Sequence, residues 1–190
     1  MINLETKKDI RKELLCKRNS LPDKLCKTYS ILIEERFFSL AQYQKADTLL
    51  IYASYNTEVS TYGIMEHALK NQKRVFCPKV LAPGIMEFYE ISSIKDIAAG
   101  YKNIPEPAVT DIPYSPLEDS KTLMVMPLVG YDSCKNRLGY GGGFYDRYMQ
   151  RFSFLSTIAL GFECQRYKNN IPAEECDVKP DFILTETNIY

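Results

Sequence analysis

Two short apolar stretches, residues 48–53 and 122–129, place the strongest constraint on the fold of this chain. Both are rich in Leu, Ile, Val or Met and contain no charged residue. Strands of a parallel sheet have this continuous apolar pattern, because helices cover both of its faces. Each stretch is also much shorter than the roughly 18 apolar residues of a membrane-spanning helix. The two stretches therefore predict central strands of a sheet that is enclosed by helices.

Helical and strand patterns alternate along the rest of the chain. The first forty residues predict two helices with a restart signal between them, at which Ser20 or Asp23 supplies the N-cap. We expect a further helix from Thr61, in which His67 has a polar surface role, and another over residues 144–152. Additional strands are predicted over residues 74–80, 85–91, 157–162 and 182–185. This alternation predicts an α/β fold with a mostly parallel sheet and helices on both faces.

One edge of the sheet is expected to carry a hairpin. The turn dipeptide Pro83-Gly84 separates residues 74–80 from the alternating stretch 85–91. Residues 100–116 contain four prolines, which predict an extended connection on the surface. The strand–helix alternation continues on both sides of this connection, and no repeat or linker divides the chain. We therefore predict a single domain over residues 1–190.

The composition excludes several classes of function. Lys plus Arg and Asp plus Glu number 24 each, so no global field attracts nucleic acid or a membrane. Residues 1–6 contain no apolar run, so we expect no signal peptide. The six cysteines fit neither a zinc motif nor a disulfide framework, which indicates reduced thiols. His67 is the only histidine, which argues against Cys/His and Ser/His hydrolases. We expect a cytoplasmic monomer that binds small molecules.

A glycine-rich loop between a predicted strand and a predicted helix is the clearest candidate site. Residues 136–147 contain four of the nine glycines of the chain. Glycine allows the backbone to approach a ligand closely, and N–H groups at a helix N-terminus bind anions. Arg137 and Arg147 are placed to add charge-assisted hydrogen bonds to phosphate. The spacing matches neither a P-loop nor a dinucleotide fingerprint, whose third glycine is replaced by Phe144. The loop predicts a nonstandard phosphate site, with a purely structural turn as the alternative.

Five elements, in order along the chain, resemble the signature of the 5-formyltetrahydrofolate cyclo-ligase family. They are K-x-x-x-R at residues 7–11, N-T-E-V-S-T at 56–61, M-E-F-Y at 86–89, I-P-E-P at 104–107, and the long run M-P-L-V-G-Y-D with R-L-G-Y-G-G-G-F-Y-D-R within 126–147. The resemblance implies a three-layer α/β/α sandwich like that of CoA transferases and sugar-phosphate isomerases. It also implies the reaction of ATP and 5-formyltetrahydrofolate to 5,10-methenyltetrahydrofolate, ADP and phosphate, with Mg²⁺.

The resemblance also assigns roles to residues by position. Contacts to ATP are implied for Lys7, Lys8, Asp9, Ile10, Arg11, Arg137, Leu138, Gly139, Tyr140, Gly141, Gly142, Gly143, Phe144 and Tyr145. The folate pocket is implied to include Ala53, Glu58, Tyr140, Gly141, Gly142, Gly143 and Phe144. Asp146 and Asp177 are implied to hold Mg²⁺. Within this set, Lys7, Arg137 and Tyr140 are the implied catalytic residues.

Two positions depart from the family pattern. Gly142 stands where part of the family has lysine, so another cation must meet the phosphate charge. Arg137, Lys79 and Lys7 are the candidates. Ala53 replaces a larger apolar residue of some relatives, which leaves less side chain for a specific contact.

Ordinary structural roles are the alternatives for several of these residues. A carboxylate such as Asp146 is favoured in the first turn of any helix by the helix dipole. Lys7 and Arg11 are four residues apart, so they could form a solvated helix face. Glu58 could cap the helix that follows Thr61.

Two other functions stay open at the level of the sequence. One is an enzyme of the CoA transferase or sugar-phosphate isomerase type, in which Glu58 or Glu106 acts as nucleophile or base. The other is a non-catalytic folate- or nucleotide-binding module, which would need neither Asp146 nor a metal.

Overall fold

A six-stranded sheet forms the centre of the computed structural model, which describes residues 6–108, 111–118 and 121–190. Within these residues the chain forms ten strands: β1 (Thr48–Ile51), β2 (Arg74–Ala82), β3 (Ile85–Ile91), β4 (Ile97–Ala99), β5 (Pro105–Pro107), β6 (Thr122–Pro127), β7 (Gly130–Tyr131), β8 (Arg137–Leu138), β9 (Ser156–Leu160) and β10 (Phe182–Leu184). The order across the main sheet is β10-β9-β6-β1-β2-β3. Two small sheets consist of β4 with β5 and β7 with β8.

The strands β1 and β6 are the buried centre of the main sheet. Every residue of both strands is buried, and β1 pairs in parallel with β2 on one side and β6 on the other. The remaining pairs are also parallel, except that the edge strand β3 runs antiparallel to β2. Gly84 in the turn before β3 has a φ of +80°, a left-handed conformation that favours glycine. The predicted parallel sheet and its edge hairpin are therefore confirmed.

Helices cover both faces of this sheet. The α-helices of the described residues are α1 (Lys7–Asn19), α2 (Asp23–Phe38), α3 (Ala41–Lys45), α4 (Tyr62–Lys70) and α5 (Phe144–Arg151), and short 3₁₀ helices span Ile94–Asp96, Tyr101–Asn103 and Glu163–Gln165. Phe37, Tyr43 and Met65 belong to the apolar cluster on one face, and Tyr148 and Met149 belong to the cluster on the other. This arrangement confirms the predicted three-layer α/β fold. None of the described helices is long and apolar enough to cross a membrane.

The first helix packs on the segment that follows β6. Ile10 and Leu14 are buried in an apolar cluster with Val129. The helix begins with a capping box, in which the Thr6 side chain accepts a hydrogen bond from the Asp9 amide and the Asp9 carboxylate accepts one from the Thr6 amide. Because the buried stripe and the cap fix the rotation of α1 about its axis, they also determine where its charged side chains point.

The predicted side-chain cap between the first two helices is wrong. The N-cap of α2 is Pro22, which makes no side-chain cap hydrogen bond, and Asp23 is already the first helical residue. The hydroxyl of Ser20 donates instead to the carbonyl of Cys16, 2.8 Å away in the last turn of α1. The fixed φ of Pro22 is compatible with the start of a helix without any side-chain acceptor.

The prediction of an extended surface connection over residues 100–116 is wrong in its first part. Residues 101–103 form a 3₁₀ helix and residues 105–107 form β5, while Val109 and Thr110 lie outside the described residues. The carboxylate of Glu106 is the reason, because it accepts hydrogen bonds from the amides of Val80 at 3.1 Å and Tyr101 at 3.3 Å. A buried acid thus fastens this segment to β2.

The only histidine of the chain has a packing role. The ring of His67 is half-buried, stacks on Phe38 with ring centroids 3.9 Å apart, and its Nδ1 lies 2.7 Å from the Tyr43 hydroxyl. His67 is therefore part of the packing of α2, α3 and α4. The polar surface role expected from the sequence is wrong.

Gly130 permits the close approach of α1, which suggests a first test. A Cβ atom at this position would lie 2.0 Å from the Leu14 Cδ1 atom. Gly130→Ala should therefore lower the free energy of unfolding by about 1–3 kcal/mol through overpacking, measured by urea denaturation. The double variant Gly130→Ala/Leu14→Ala should lose less than the sum of the two single changes, because the second change removes the clash. Additive losses would contradict the close packing.

Candidate active site

A cleft of about 630 Å³ opens at the carboxyl ends of β1 and β6. From β1 the chain passes to β2 on one side, and it later returns to β6 on the other, so the strand order reverses between β1 and β6. Ligands of open α/β sheets bind in the crevice outside such a reversal. The predicted site residues that line the cleft are Lys7, Arg11, Ala53, Glu58, Arg137, Leu138, Gly139, Tyr140, Gly141, Gly142, Gly143, Phe144, Tyr145, Asp146 and Asp177.

The first helix brings two cations to this cleft. The Nζ atom of Lys7 donates to Asp177 at 2.5 Å and to Glu174 at 2.9 Å. Partial burial opposes protonation, but these two carboxylates raise the pKa of Lys7 above its ordinary value. The Nε atom of Arg11 donates to the carbonyl of Gly139 at 2.8 Å. Both side chains therefore contact other parts of the site and do not form a solvated face.

Three other predicted contacts on this helix lie elsewhere. Ile10 is 1% exposed and packs in the core, so its side chain cannot reach a ligand. The Asp9 carboxylate is engaged in the cap of α1 and borders a shallow depression outside the cleft. Lys8 is exposed and does not line the cleft. The structure therefore does not support ATP contacts by these three side chains, because helical periodicity directs them away from Lys7 and Arg11.

The glycine loop delivers the N-terminus of a helix into the cleft. Gly141 has a φ of +93°, and Gly143, the N-cap of α5, has a φ of +64°. Both values strain any residue with a Cβ atom. The first amides of α5 have no intrahelical acceptor, so they are available to an anion at this end of the helix. The glycine loop therefore ends at a helix N-terminus, as predicted, and anion binding there stays a prediction.

Arg137 is a largely buried cation of β8 that lines the cleft. Its side chain is 4% exposed, and it donates to the Asp146 carboxylate at 2.7 Å and to the carbonyl of Pro127 at 3.3 Å. Its Nε atom is buried and has no hydrogen-bond partner among the described residues. A buried, unpartnered donor on a guanidinium is costly, and a ligand oxygen would satisfy it.

The two predicted metal ligands lie close to each other. Asp146 accepts a hydrogen bond at 3.2 Å from the amide of Val178, the residue directly after Asp177. Asp177 accepts from the amide of Glu174 at 2.7 Å and from Lys7. Partial burial works against ionisation of Asp177, but these hydrogen bonds lower its pKa below the ordinary value. Each carboxylate is also paired with a cation, Asp146 with Arg137 and Asp177 with Lys7.

These carboxylates fit Mg²⁺ better than a metal with an all-protein ligand set. The described residues contain no group of three or more His, Cys, Asp or Glu side chains that could hold a metal. Mg²⁺ commonly keeps several waters and binds through one or two carboxylates together with substrate phosphates. Asp146 and Asp177, which line the same cleft as the glycine loop, match that donor set.

The other wall of the cleft carries a carboxylate in a turn. Glu58 accepts a hydrogen bond from the amide of Tyr55 at 2.8 Å and one from the Tyr140 hydroxyl at 2.6 Å. Burial raises the pKa of Glu58, and these two hydrogen bonds oppose the shift. The N-cap of α4 is Thr61, which receives no side-chain cap from Glu58. Glu58 therefore faces the cleft and does not cap the helix, and Ala53 lies beside it, 3% exposed.

Lys79, one of the three cations considered from the sequence in place of a lysine at position 142, lies outside the cleft. Lys79 donates to the carbonyl of Pro107 at 3.2 Å and does not line the cleft. Arg147 does line it, and its guanidinium donates to the carbonyls of Gly142 and Gly84, the latter at 2.8 Å. Arg147 thereby joins the glycine loop to the β2–β3 hairpin.

Sequence reasoning missed two parts of the site. Arg18 of α1 donates at 2.9 Å to the hydroxyl of Tyr140. Its spacing from Lys7 and Arg11, close to whole helical turns, was the available signal. Tyr101 and Ile104 also line the cleft, and the proline content of their segment concealed this.

Known proteins resemble this chain over most of its length. The 5-formyltetrahydrofolate cyclo-ligase of Escherichia coli (strain K12) is 31% identical over 153 residues, which are 76% of this chain and 81% of that protein. The mouse protein of the same name (Mus musculus) is 30% identical over 190 residues, 95% of this chain and 93% of that one. The NMR structure of Aquifex aeolicus 5,10-methenyltetrahydrofolate synthetase has a TM-score of 0.82 at 26% identity and covers 96% of this chain and 91% of its own.

The fold and the cleft define an α/β enzyme with a glycine loop at a helix N-terminus opposite a half-buried carboxylate. A sequence model of the 5-formyltetrahydrofolate cyclo-ligase family matches residues 3–186. The chain therefore belongs to the 5-formyltetrahydrofolate cyclo-ligase family, a family of ligases, and the resemblance noted in the sequence is confirmed.

Proposed function

We propose that the chain converts ATP and 5-formyltetrahydrofolate to 5,10-methenyltetrahydrofolate, ADP and phosphate. The observation that carries the proposal is the division of one cleft into two chemically different halves. One half holds cations, an open helix N-terminus and two carboxylates, which suit a nucleotide with its metal. The other half holds Glu58 and apolar walls, which suit a heteroaromatic ring system. The names of the relatives point to the same reaction.

The chemistry explains why a nucleotide is needed. The formyl carbon belongs to an amide, so nitrogen donation makes it a poor electrophile, and ring closure must expel its oxygen. When the formyl oxygen attacks the γ-phosphorus, ADP leaves and the oxygen becomes part of a phosphate ester. N10 then attacks the activated carbon and loses its proton, and inorganic phosphate departs with the former formyl oxygen. Phosphoryl transfer of this kind requires alignment and charge neutralisation rather than a protein nucleophile.

Cations of the cleft are balanced by carboxylates before the nucleotide binds. Lys7 is paired with Asp177, and Arg137 is paired with Asp146. If Asp146 and Asp177 hold Mg²⁺, which would neutralise charge on the phosphate oxygens, Arg137 loses its carboxylate partner and Lys7 keeps only Glu174. Both cations can then donate to phosphate. The buried Nε atom of Arg137 is then the donor that most needs an oxygen acceptor.

The glycine loop lies where the two substrates would meet. Its helix N-terminus is placed for the phosphates, while the Tyr140 side chain reaches across the cleft to Glu58. Glu58 is suited to accept N–H donors of the pterin ring, because an ionised carboxylate only accepts hydrogen bonds. Ala53, beside Glu58, leaves room for the ring rather than a specific contact.

One assay separates the proposed reaction from its alternatives. The protein is mixed with 5-formyltetrahydrofolate, Mg²⁺ and ATP, and the near-ultraviolet absorbance of the conjugated methenyl product is followed. A rise that requires ATP supports the proposal. Folate binding without turnover would instead support a non-catalytic binding module. In the CoA transferase or isomerase alternative, Glu106 is the less suitable nucleophile or base, because both of its carboxylate oxygens accept backbone N–H groups.

The folate half of the cleft has its own test. Glu58→Gln should weaken folate binding about tenfold or more, because the neutral amide offers a weaker acceptor in place of a charge-assisted one. The Kd for the folate, measured by calorimetry without ATP, reports this loss. Glu90→Gln, at an exposed ion pair with Arg74 outside the cleft, is the matched control and should keep the parent Kd. An unchanged Kd in Glu58→Gln would remove this residue from the pterin contact.

The monomeric state and the cytoplasmic location stay predictions. Size-exclusion chromatography with light scattering tests the first, and cell fractionation tests the second.

A further inference from the structure

A buried arginine outside the predicted site contacts both walls of the cleft. Arg18 is 3% exposed. Its Nε atom donates to the Thr57 hydroxyl at 3.0 Å and its Nη1 atom to the Tyr140 hydroxyl at 2.9 Å. Among the described residues it forms no salt bridge with a carboxylate. Burial of a charge is costly unless its neighbours compensate for it, so the partners of Arg18 need an explanation.

These partners form a directed chain of hydrogen bonds that ends at Glu58. A guanidinium only donates, so the Tyr140 hydroxyl must accept from Arg18 and give its own proton to the Glu58 carboxylate at 2.6 Å. Such chains strengthen each member by polarisation. Thr57, the second partner of Arg18, precedes Glu58 in the same turn. Arg18 therefore acts on Glu58 from two directions, through a tyrosine of the glycine loop and through the backbone of the turn.

The arrangement leaves Glu58 able to bind a ligand. An ionised carboxylate has about four acceptor positions, and Tyr140 and the Tyr55 amide occupy two of them. A ligand with two adjacent N–H donors can use the others without breaking the chain. Tyr140 is 51% exposed, so its ring is also accessible from the cleft.

We propose that Arg18 is a positioning residue for the folate pocket, which through Tyr140 and Thr57 keeps the Glu58 carboxylate ionised and directed into the cleft. The proposal rests on the proposed function, in which Glu58 accepts hydrogen bonds from the pterin. It adds a residue that touches neither substrate and assigns the Tyr140 hydroxyl a role distinct from that of its ring.

A pH dependence follows from the charges around Glu58. The ionisable groups in electrostatic range of this carboxylate are Arg18, Tyr52, Tyr62, Tyr140 and Tyr145. Burial raises the pKa of Glu58, while the Tyr140 hydrogen bond and the charge of Arg18 lower it. Folate affinity should be complete above this pKa and decline as the pH falls through it. Loss of Arg18 raises the pKa further, so the decline should begin at a higher pH.

The test compares Arg18→Met and Tyr140→Phe with the parent chain. The folate Kd is measured between about pH 5 and 8, and steady-state kinetics are measured at neutral pH. For each variant we expect the acid midpoint of folate binding to rise by about one pH unit. For Arg18→Met the KM for the folate should rise about tenfold, while kcat and the KM for ATP change less than about threefold. The double variant should be no worse than the more affected single variant, because both changes break one chain.

Controls keep the outcomes distinct. Arg74→Met removes an exposed arginine that is paired with Glu90 outside the cleft, and should leave the midpoint unchanged. If Arg18→Met does not fold, two other variants decide the matter. They are Tyr140→Phe and Arg18→Lys, which keeps the charge but loses the planar fork that reaches two acceptors. If a folded variant has the same acid midpoint of folate binding and the same KM for the folate as the parent chain, the positioning role of Arg18 is wrong. A parent chain that neither binds nor converts the folate would instead overturn the proposed function.

Discussion

Replacement of Asp146 by asparagine should lower kcat about 100-fold while the folate Kd stays at the parent value. The asparagine carbonyl can still accept the hydrogen bonds that Arg137 and Val178 donate to Asp146, so the fold of the loop is retained. What is lost is one negative charge next to the phosphate site. We propose this charge as a ligand of Mg²⁺, and the loss of one preorganised electrostatic contact typically costs about 10²–10³ in rate.

Three measurements define the outcome for Asp146→Asn. These are kcat at saturating substrates, the folate Kd without nucleotide, and the Mg²⁺ concentration that gives half-maximal rate, which should rise. Asp47→Asn is the control. The Asp47 carboxylate also forms an ion pair, with the Lys121 Nζ atom at 3.5 Å, but both side chains are exposed and lie outside the cleft. Unchanged turnover in Asp146→Asn would mean that its carboxylate serves only to hold Arg137. A larger Kd for the folate would mean that Asp146 also contributes to the folate half of the cleft.

Asp132→Ala should lower the free energy of unfolding by about 3–5 kcal/mol. Asp132 is fully buried, and its two oxygens accept four hydrogen bonds, from the amides of Cys134, Asn136 and Ile171 and from the Asn136 side chain. Its removal leaves buried donors without an acceptor, each of which costs about 1–3 kcal/mol. Partial relaxation and entry of water keep the total below the sum.

This residue connects stability to the site. Asp132 holds the turn between β7 and β8, and β8 carries Arg137 into the cleft. Urea denaturation should therefore show a lower midpoint, and kcat should fall even under conditions where the variant is folded. Asp47→Ala, at an exposed ion pair worth less than about 1 kcal/mol, is the matched control. A loss as small as that of Asp47→Ala would show that the turn forms without its acid.

Local patterns predicted the elements of the fold well. The apolar runs became β1 and β6, because a strand that is covered on both faces can contain no polar side chain that lacks a partner. The glycine loop became the N-terminus of α5 with two residues at positive φ, because only glycine adopts that backbone without strain. These features depend on residues that are near each other in the chain.

One error comes from a contact between distant segments and another from a choice between neighbouring residues. The proline-rich segment 100–116 looked exposed, yet Glu106 ties it to Val80, 26 residues earlier. The residues before α2 predicted a side-chain N-cap, yet the N-cap is Pro22, which makes no side-chain hydrogen bond to the helix. The local sequence could not show which hydrogen-bond partner each of these segments would have in the folded chain.

The sequence by itself determined the α/β architecture, the glycine loop and the family, because strand burial, turn chemistry and motif order are written in neighbouring residues. Only the tertiary structure decided how the charges of the cleft are paired. The hydroxyl of Tyr140 joins Glu58 and Arg18, which are 82 and 122 residues away along the chain. Such pairs form where the carboxyl ends of parallel strands, a helix N-terminus and the face of α1 meet, and that meeting depends on the packing of the whole core.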